Sequence, residues 1–127
     1  MNPTNQSDPQ SAGTPLTEQN CVPCEGLTDP MTLQAATAAM ADLPDWTLAE
    51  DHRSIHRKFN TGNFMAAVQK IGQIAEIAES QQHHPDLHLT GYRHLRVVLT
   101  THAIGGLSQN DFILAARIDV QIAPRGS

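Results

Sequence analysis

The amino-acid sequence predicts an α+β fold, in which three helices lie on one face of a four-stranded antiparallel sheet in the order α-β-β-α-β-β-α. Three segments carry apolar residues three and four positions apart, which is the period of an amphipathic helix. Four shorter segments alternate apolar with polar residues or are rich in strand-forming residues. Antiparallel strands with helices gathered on one face form a layered α+β domain.

The first helix is predicted over residues 31–43, and two strands follow it. Pro44 ends the helix because proline cannot continue the pattern of backbone hydrogen bonds. The apolar face of this helix consists of Leu33, Ala36, Met40 and Leu43. The first strand is predicted at residues 46–48 and the second at residues 53–59. In the second strand, Ile55, Arg57 and Phe59 alternate with His56 and Lys58, so one face is expected to be buried and the other solvated.

The main helix is predicted from Asn63 to Gln82, after a turn at Asn60-Thr61-Gly62. Its expected apolar face consists of Phe64, Val68, Ile71, Ala75 and Ala78. The last turn brings Glu79, and then the adjacent His83 and His84, to one end of the core. An acidic residue near a helix C-terminus opposes the helix dipole, which indicates a partner such as a neighbouring imidazole or a ligand amine; a solvated side chain is the alternative.

Two further strands and a last helix complete the predicted fold. The third strand is expected from Leu87 to Tyr92, with Gly91 as a bulge, and the fourth from Leu95 to Thr101. Ser108 and Asp111 resemble a capping box that starts the last helix. The apolar face of that helix consists of Phe112, Leu114, Ala115, Ile118 and Ile122, and Pro124 ends it.

Length and charge limit the function classes. The 127 residues predict one domain at 29–124, preceded by a disordered polar segment at 1–28 and followed by a tail at 125–127. The net charge of −5 and the absence of a lysine or arginine block argue against nucleic acid and anionic membranes as partners. No apolar run reaches the length of a membrane span, and the first residues lack an apolar signal core, so we expect a soluble, cytoplasmic protein.

Cys21 and Cys24 form a Cys-x-x-Cys pair whose role the sequence leaves open. The pair lacks the strand-helix context of a thioredoxin-type redox site. A zinc site would need two more ligands, from His52, His56 or the His83-His84 pair, and no spacing identifies them. An inert turn, a metal site and a redox site therefore all remain interpretations. His52 and His56 themselves are expected to be surface strand residues.

Five of the seven histidines lie between positions 83 and 102. Histidine is the side chain that titrates near neutral pH when unperturbed, so adjacent imidazoles at a helix end suit a proton-transfer pocket. Pro85 restricts His84 to extended backbone geometry, which predicts that the helix ends before this pair. The alternative interpretation is a polar helix end followed by an exposed turn.

Several motifs together resemble the pterin-4a-carbinolamine dehydratase family. They are the His83-His84-Pro85 run, Glu79 four residues before it, Tyr92, the Thr101-His102 pair, and Gly106-Leu107-Ser108-x-x-Asp111. The resemblance extends over residues 43–119 and includes Trp46, Phe59 and Phe64. It implies three helices against a four-stranded sheet, and a homodimer formed through the sheet or its edge strand.

The resemblance also implies an activity, the dehydration of a 4a-hydroxytetrahydropterin to the quinonoid dihydropterin without cofactor or metal. By carry-over, His83, His84 and His102 are the catalytic histidines, with His84 or His102 as general acid and base. The pterin-binding residues are then Glu79, Pro85, Asp86 and Thr101. For Asp111, capping of the last helix is the simpler role.

Within the family, the chain is more similar to the branch implicated in assembling RuBisCO in plants, cyanobacteria and carboxysome-bearing bacteria. Leu87 stands where the dehydratases usually have an aromatic residue, one extra residue lies between Pro85 and Tyr92, and the Cys-x-x-Cys pair precedes the domain. Catalysis depends on close placement of the reacting groups, and these changes lie beside the histidine pair. The sequence therefore favours an assembly factor that binds RuBisCO subunits, located in the cytoplasm or carboxysome, with weak or no dehydratase activity. An active dehydratase is the alternative.

Overall fold

The computed structural model describes residues 15–22 and 29–122. The main elements are α1 (Leu33–Ala39), β1 (Thr47–Leu48), β2 (Ile55–Asn60), α2 (Phe64–Gln81), β3 (Asp86–Thr90), β4 (His94–Leu99) and α3 (Gln109–Ile122). One-turn 3-10 helices lie at Leu16–Glu18, Met40–Asp42 and His102–Ile104. The four strands form one antiparallel sheet in the order β1-β2-β4-β3. This arrangement confirms the predicted α+β fold class.

The sheet buries one face and leaves the other accessible, as its alternation predicts. Ile55 and Phe59 on β2 face the core, where the side chains of β4 join them. The β4 core residues are Leu95, Val97 and Leu99. On the opposite face, Lys58 pairs in register with Arg96, and Arg96 with His88. His56 also lies on this outer face, as predicted, whereas His52 lies in an exposed turn and not in a strand.

The third strand is shorter than predicted, and Gly91 is not a bulge. β3 ends at Thr90, which pairs with His94 at the start of β4. Gly91 and Tyr92 both have positive φ angles, of 53° and 56°. Two successive left-handed residues reverse the chain direction, so residues 91–93 form the connecting turn and Tyr92 is exposed.

The predicted bounds of α2 are right within one residue, but its predicted apolar face is only partly right. Ala78 is buried and Ile71 packs against the core, as predicted, whereas Ala75 is exposed. The Asn63 side chain accepts a hydrogen bond from Ala66 N–H and starts the helix. Phe64 and Val68 are 52% and 42% exposed, whereas the buried residues are Ala67, Ile74 and Ala78. The helix carries two apolar stripes, and the neighbouring stripe packs on the core. With Met65, which is also exposed, Phe64 and Val68 form an apolar surface.

The prediction of a disordered segment at 1–28 is wrong for residues 15–22. The Leu16–Glu18 turn lies against α3, and Leu16 packs at the edge of the core. Residues 1–14, 23–28 and 123–127 lie outside the described residues, and so do Cys24 and Pro124. The expectations for those residues stay predictions.

Candidate active site

Asp111 lies at the centre of a buried hydrogen-bond network at one end of the sheet. Its side chain is fully buried. Oδ1 accepts a hydrogen bond from His83 Nε2 at 2.6 Å, and Oδ2 accepts from Thr101 Oγ1 and from the Ser108 backbone N–H, both at 2.9 Å. Burial of a carboxylate is costly unless its oxygens are satisfied, and these donors satisfy both oxygens.

Three different elements supply the donors. The left-handed backbone of Gln82, with a φ of 53°, ends α2 and lets His83 turn inward. Thr101 follows β4 and is held by a bridge to Gly106. Ser108 precedes α3, so its N–H is one of the backbone donors that a helix start leaves without a partner. Asp111 satisfies that N–H, which is half of the predicted capping box.

Thr101 and Ser108 extend the network through their hydroxyl groups, which lie 2.7 Å apart. Each hydroxyl has one proton. Because Thr101 donates its proton to Asp111, Ser108 Oγ donates to Thr101 Oγ1. Ser108 Oγ in turn accepts from the Asn110 N–H at 3.2 Å. The proton positions of this network are therefore determined by the Asp111 carboxylate.

His84 and Glu79 form a second, exposed pair beside the buried one. His84 Nε2 lies 2.5 Å from Glu79 Oε2, and the two side chains are 58% and 70% exposed. An exposed pair of this kind stabilises a fold only slightly. Both side chains are accessible to a ligand, and the neighbouring imidazole is the partner expected for an acid at this helix end.

The remaining predicted site residues lie around these two pairs. His102 is exposed in the 3-10 turn directly after Thr101, and Pro85 is half-buried between His84 and β3. Asp86 is exposed, and its register with Val98 places it on the outer face of the sheet. The buried network therefore includes His83 and Thr101, which both bind Asp111. His84 and His102 each follow one of these residues in the sequence and are exposed, so they flank the network and are not part of it. Pro85 and Asp86 also lie outside the network.

The two histidine contacts define which ring nitrogens are available for chemistry. An ionised carboxylate only accepts hydrogen bonds, so the nitrogen of a neutral imidazole that is bonded to it must carry the ring proton. Neutral His83 and His84 therefore both carry the proton on Nε2 and leave Nδ1 as the acceptor. Such a nitrogen can take a proton from a substrate, and a protonated imidazole can return one.

Within residues 15–22 and 29–122, no group of three or more His, Cys, Asp or Glu side chains is arranged to hold a metal ion. Cys21 is half-buried, and its Sγ donates to the backbone carbonyl of Asn110 at 3.6 Å. In the same ranges, no helix is long and apolar enough to cross a membrane.

A model of the family described as pterin 4 alpha carbinolamine dehydratase matches residues 29–121 of this chain. The chain belongs to the pterin-4a-carbinolamine dehydratase family. A relative from Halorhodospira halophila, named as a candidate pterin-4-alpha-carbinolamine dehydratase, is 44% identical over 104 residues, which are 82% of this chain and 94% of the relative. The mitochondrial pterin-4-alpha-carbinolamine dehydratase 2 of Arabidopsis thaliana is 41% identical over 107 residues, covering 82% of this chain and 57% of that protein.

A solved structure gives the same assignment. The transcriptional coactivator/pterin dehydratase from Brucella melitensis superposes with a TM-score of 0.68 at 27% sequence identity, covering 75% of this chain and 99% of that chain. Family membership, which the sequence motifs predicted, is therefore confirmed. None of these three names refers to RuBisCO assembly.

Sequence reasoning did not predict the link between Asp111 and His83. The sequence predicts that Asp111 caps the last helix, which it does, but it does not predict that Asp111 belongs to the site. The contact joins residues 28 positions apart, so no local pattern contains it. The Ser108-x-x-Asp111 motif was the available signal, because a capping carboxylate still has a second oxygen to satisfy.

Proposed function

We propose that this protein is a 4a-hydroxytetrahydropterin dehydratase. The single observation that supports the proposal best is the buried network of His83, Asp111 and Thr101, because the residues that follow His83 and Thr101 in the sequence are the exposed His84 and His102. The names of the relatives support the same activity. This proposal reverses the order of the two functions that the sequence favoured, and places the dehydratase first.

The reaction requires two proton transfers. A ring nitrogen of the pterin loses its proton to a base, and its electrons form a carbon-nitrogen double bond. The bond between carbon 4a and the hydroxyl oxygen breaks, and an acid protonates the oxygen, which leaves as water. Histidine is the residue type suited to both steps, because imidazole serves as a general acid and as a general base in enzymes.

In the proposed mechanism, His84 and His102 are the general acid and base, since both are exposed to a ligand. Glu79 orients the His84 ring and, with Pro85, contacts the pterin. The sequence predicts that Thr101 binds the pterin, but this residue is only 1% exposed and its hydroxyl donates to Asp111, so it acts through that carboxylate. His83 is buried and held by Asp111, so it fixes the backbone that carries His84. A fixed position of His84 lowers the entropic cost of aligning it with the substrate.

The direct test is a stopped-flow assay of 4a-hydroxytetrahydropterin dehydration by the wild-type protein and by His84→Ala and His102→Ala. We expect each variant to lose about 100-fold or more of the rate, as is typical for removal of a general acid or base. His88→Ala is the matched control, because His88 is exposed on the outer face of the sheet. A wild-type rate equal to the uncatalysed rate, or variants as fast as the control, would refute the proposal.

RuBisCO assembly is the second candidate function, and the carboxysome location belongs to it. Its support is Leu87, which stands where the dehydratases usually have an aromatic residue. Leu87 is a half-buried residue of β3 that packs against the core near the histidine pair. The test is the yield of refolded RuBisCO with and without this protein. A higher yield that persists in His84→Ala would favour the assembly function. An unchanged yield would refute it, and the dehydratase function would be the remaining candidate.

We also propose a homodimer. β3 pairs with β4 on one side and is an edge strand on the other, and an edge with free backbone groups favours pairing with a second copy. The apolar surface of Phe64, Met65 and Val68 is a second region that association would cover. Light scattering coupled to size-exclusion chromatography measures the mass directly. A monomer of 13.8 kDa at every concentration would contradict this proposal.

A further inference from the structure

Residues 19–22, which we call the strap, tie the end of α2 to the start of α3. The Cys21 N–H donates to Gln81 Oε1 at 2.8 Å, in the last residue of α2. Val22 contacts Asn110, in the first turn of α3. Arg117 Nε donates to the Gln19 carbonyl at 3.0 Å. The strap therefore contacts both helix ends that meet at the candidate active site.

The contact between Val22 and Asn110 is the most specific of these. The Val22 N–H donates to Asn110 Oδ1 at 2.9 Å, and Asn110 Nδ2 donates to the Val22 carbonyl at 2.8 Å. A side-chain amide and a backbone unit thus form a two-bond pair. Asn110 is only 2% exposed, so water does not replace these bonds when they are lost.

The strap and the His83-Asp111 hydrogen bond join the same two helix ends. Gln81 lies two residues before His83, and Asn110 lies directly before Asp111. A shift of either helix end relative to the other changes the 2.6 Å distance between His83 Nε2 and Asp111 Oδ1. Hydrogen bonds weaken steeply as distance and angle depart from the optimum. A connection that holds the two ends together also holds this bond.

We propose that the strap is part of the active site, and that Asn110 and Gln81 are positioning residues that act through the His83-Asp111 pair. The effect on catalysis rests on the proposed dehydratase function, whereas the effect on His83 does not. The family model matches residues 29–121 and so does not include the strap.

The first test is nitrogen-15 NMR of the histidine rings in the full-length protein. In the wild type, we expect one His83 tautomer with the proton on Nε2 and a slowly exchanging proton signal. Asn110→Ala and Gln81→Ala should make that proton exchange rapidly and mix the two tautomers. Gln73→Ala is the matched control, because Gln73 is an exposed glutamine in the same helix.

The second test is the steady-state kinetics of the same variants. A positioning role predicts that kcat falls about tenfold while KM changes little, because the substrate still binds but its reacting groups are misplaced. Circular dichroism establishes whether each variant is folded. Gln81 is half-buried, so Gln81→Ala decides the question if Asn110→Ala does not fold.

The outcomes separate the two proposals. A folded Gln81→Ala variant whose His83 signals equal those of the wild type would overturn the positioning role. Altered His83 signals in a protein whose wild type has no dehydratase activity would support the strap and refute the proposed function. Altered signals together with a lower kcat, and an unaffected Gln73→Ala control, would support both.

Discussion

Replacement of Asp111 is the perturbation for which the structure gives the most definite expectation. Asp111→Ala leaves the side chain of His83, the hydroxyl of Thr101 and the N–H of Ser108 without their acceptor. The carboxylate is fully buried, so solvent does not reach the orphaned donors directly. Asp111→Asn keeps the shape of the side chain and one of its two oxygens, and it is the matched comparison.

The magnitude follows from the three lost bonds. Each buried donor without a partner costs about 1–3 kcal/mol, and partial relaxation reduces the total, so we expect Asp111→Ala to lower the free energy of unfolding by about 3–6 kcal/mol. In Asp111→Asn, the remaining oxygen accepts from Thr101 and Ser108, and the amide group donates to the other tautomer of His83. The expected loss for this variant is about 1–2 kcal/mol. A small domain has a total stability of roughly 5–15 kcal/mol, so Asp111→Ala removes a large share of it.

Urea unfolding followed by circular dichroism measures these differences. With a typical slope of about 1–3 kcal/mol per molar urea, a loss of about 4 kcal/mol lowers the midpoint by roughly 2 M. The order wild type, Asp111→Asn, Asp111→Ala is the essential expectation. An Asp111→Ala midpoint equal to that of the wild type would show that the network contributes nothing, and the reasoning from buried donors would be wrong.

Three other predictions concern separate parts of the fold. Burial lowers the pKa of His56 from its ordinary value of 6.5, and the nearby charges of Arg96 and Lys58 lower it further. The folded state therefore favours neutral His56, whose contribution to stability is complete above pH 6.5 and is lost as the pH falls through the lowered pKa. The thermal unfolding temperature of His56→Gln should therefore depend less on pH than that of the wild type between about pH 5 and pH 7. Gly72→Ala should raise the urea midpoint by the equivalent of about 0.5–1 kcal/mol, since this position in α2 has open space around a Cβ, and an unchanged or lower midpoint would contradict the prediction. Gly106→Ala should cost about 1–3 kcal/mol in the same assay, because its Cβ would lie 2.7 Å from the Cβ of Pro30, and a neutral result would mean that this contact yields easily.

The sheet and the helix order could be predicted from the sequence because their signals are local. The alternation in β4 directly specifies which side chains face the core, and Leu95, Val97 and Leu99 are indeed buried. The Asn63 cap and the end of α2 near Gln82 were also predicted, because capping residues and the following proline act within a few positions of each other.

The rest depends on contacts between distant residues. In α2, both candidate stripes are apolar at helical spacing, so periodicity alone does not select the one with Ala67 and Ile74 over the one with Phe64 and Val68. The strap has the polar composition of a disordered segment. It is nevertheless attached to the rest of the chain, because its backbone groups form hydrogen bonds with side chains of α2 and α3. Composition measures the apolar area that a segment offers for burial, and it does not detect this kind of attachment.

The left-handed residue Gln82 has a consequence for the two histidines that follow it. It turns the chain so that His83 is buried while His84, one peptide bond away, is exposed. Identical side chains thus differ in access to reagents, and diethyl pyrocarbonate should acylate His84 rapidly and His83 only when the protein unfolds. The two histidines therefore have different roles: His84 is accessible to ligands and solvent, whereas His83 stays in a constant buried environment. A mutation that exchanged their orientations would preserve the composition of the site and abolish this division.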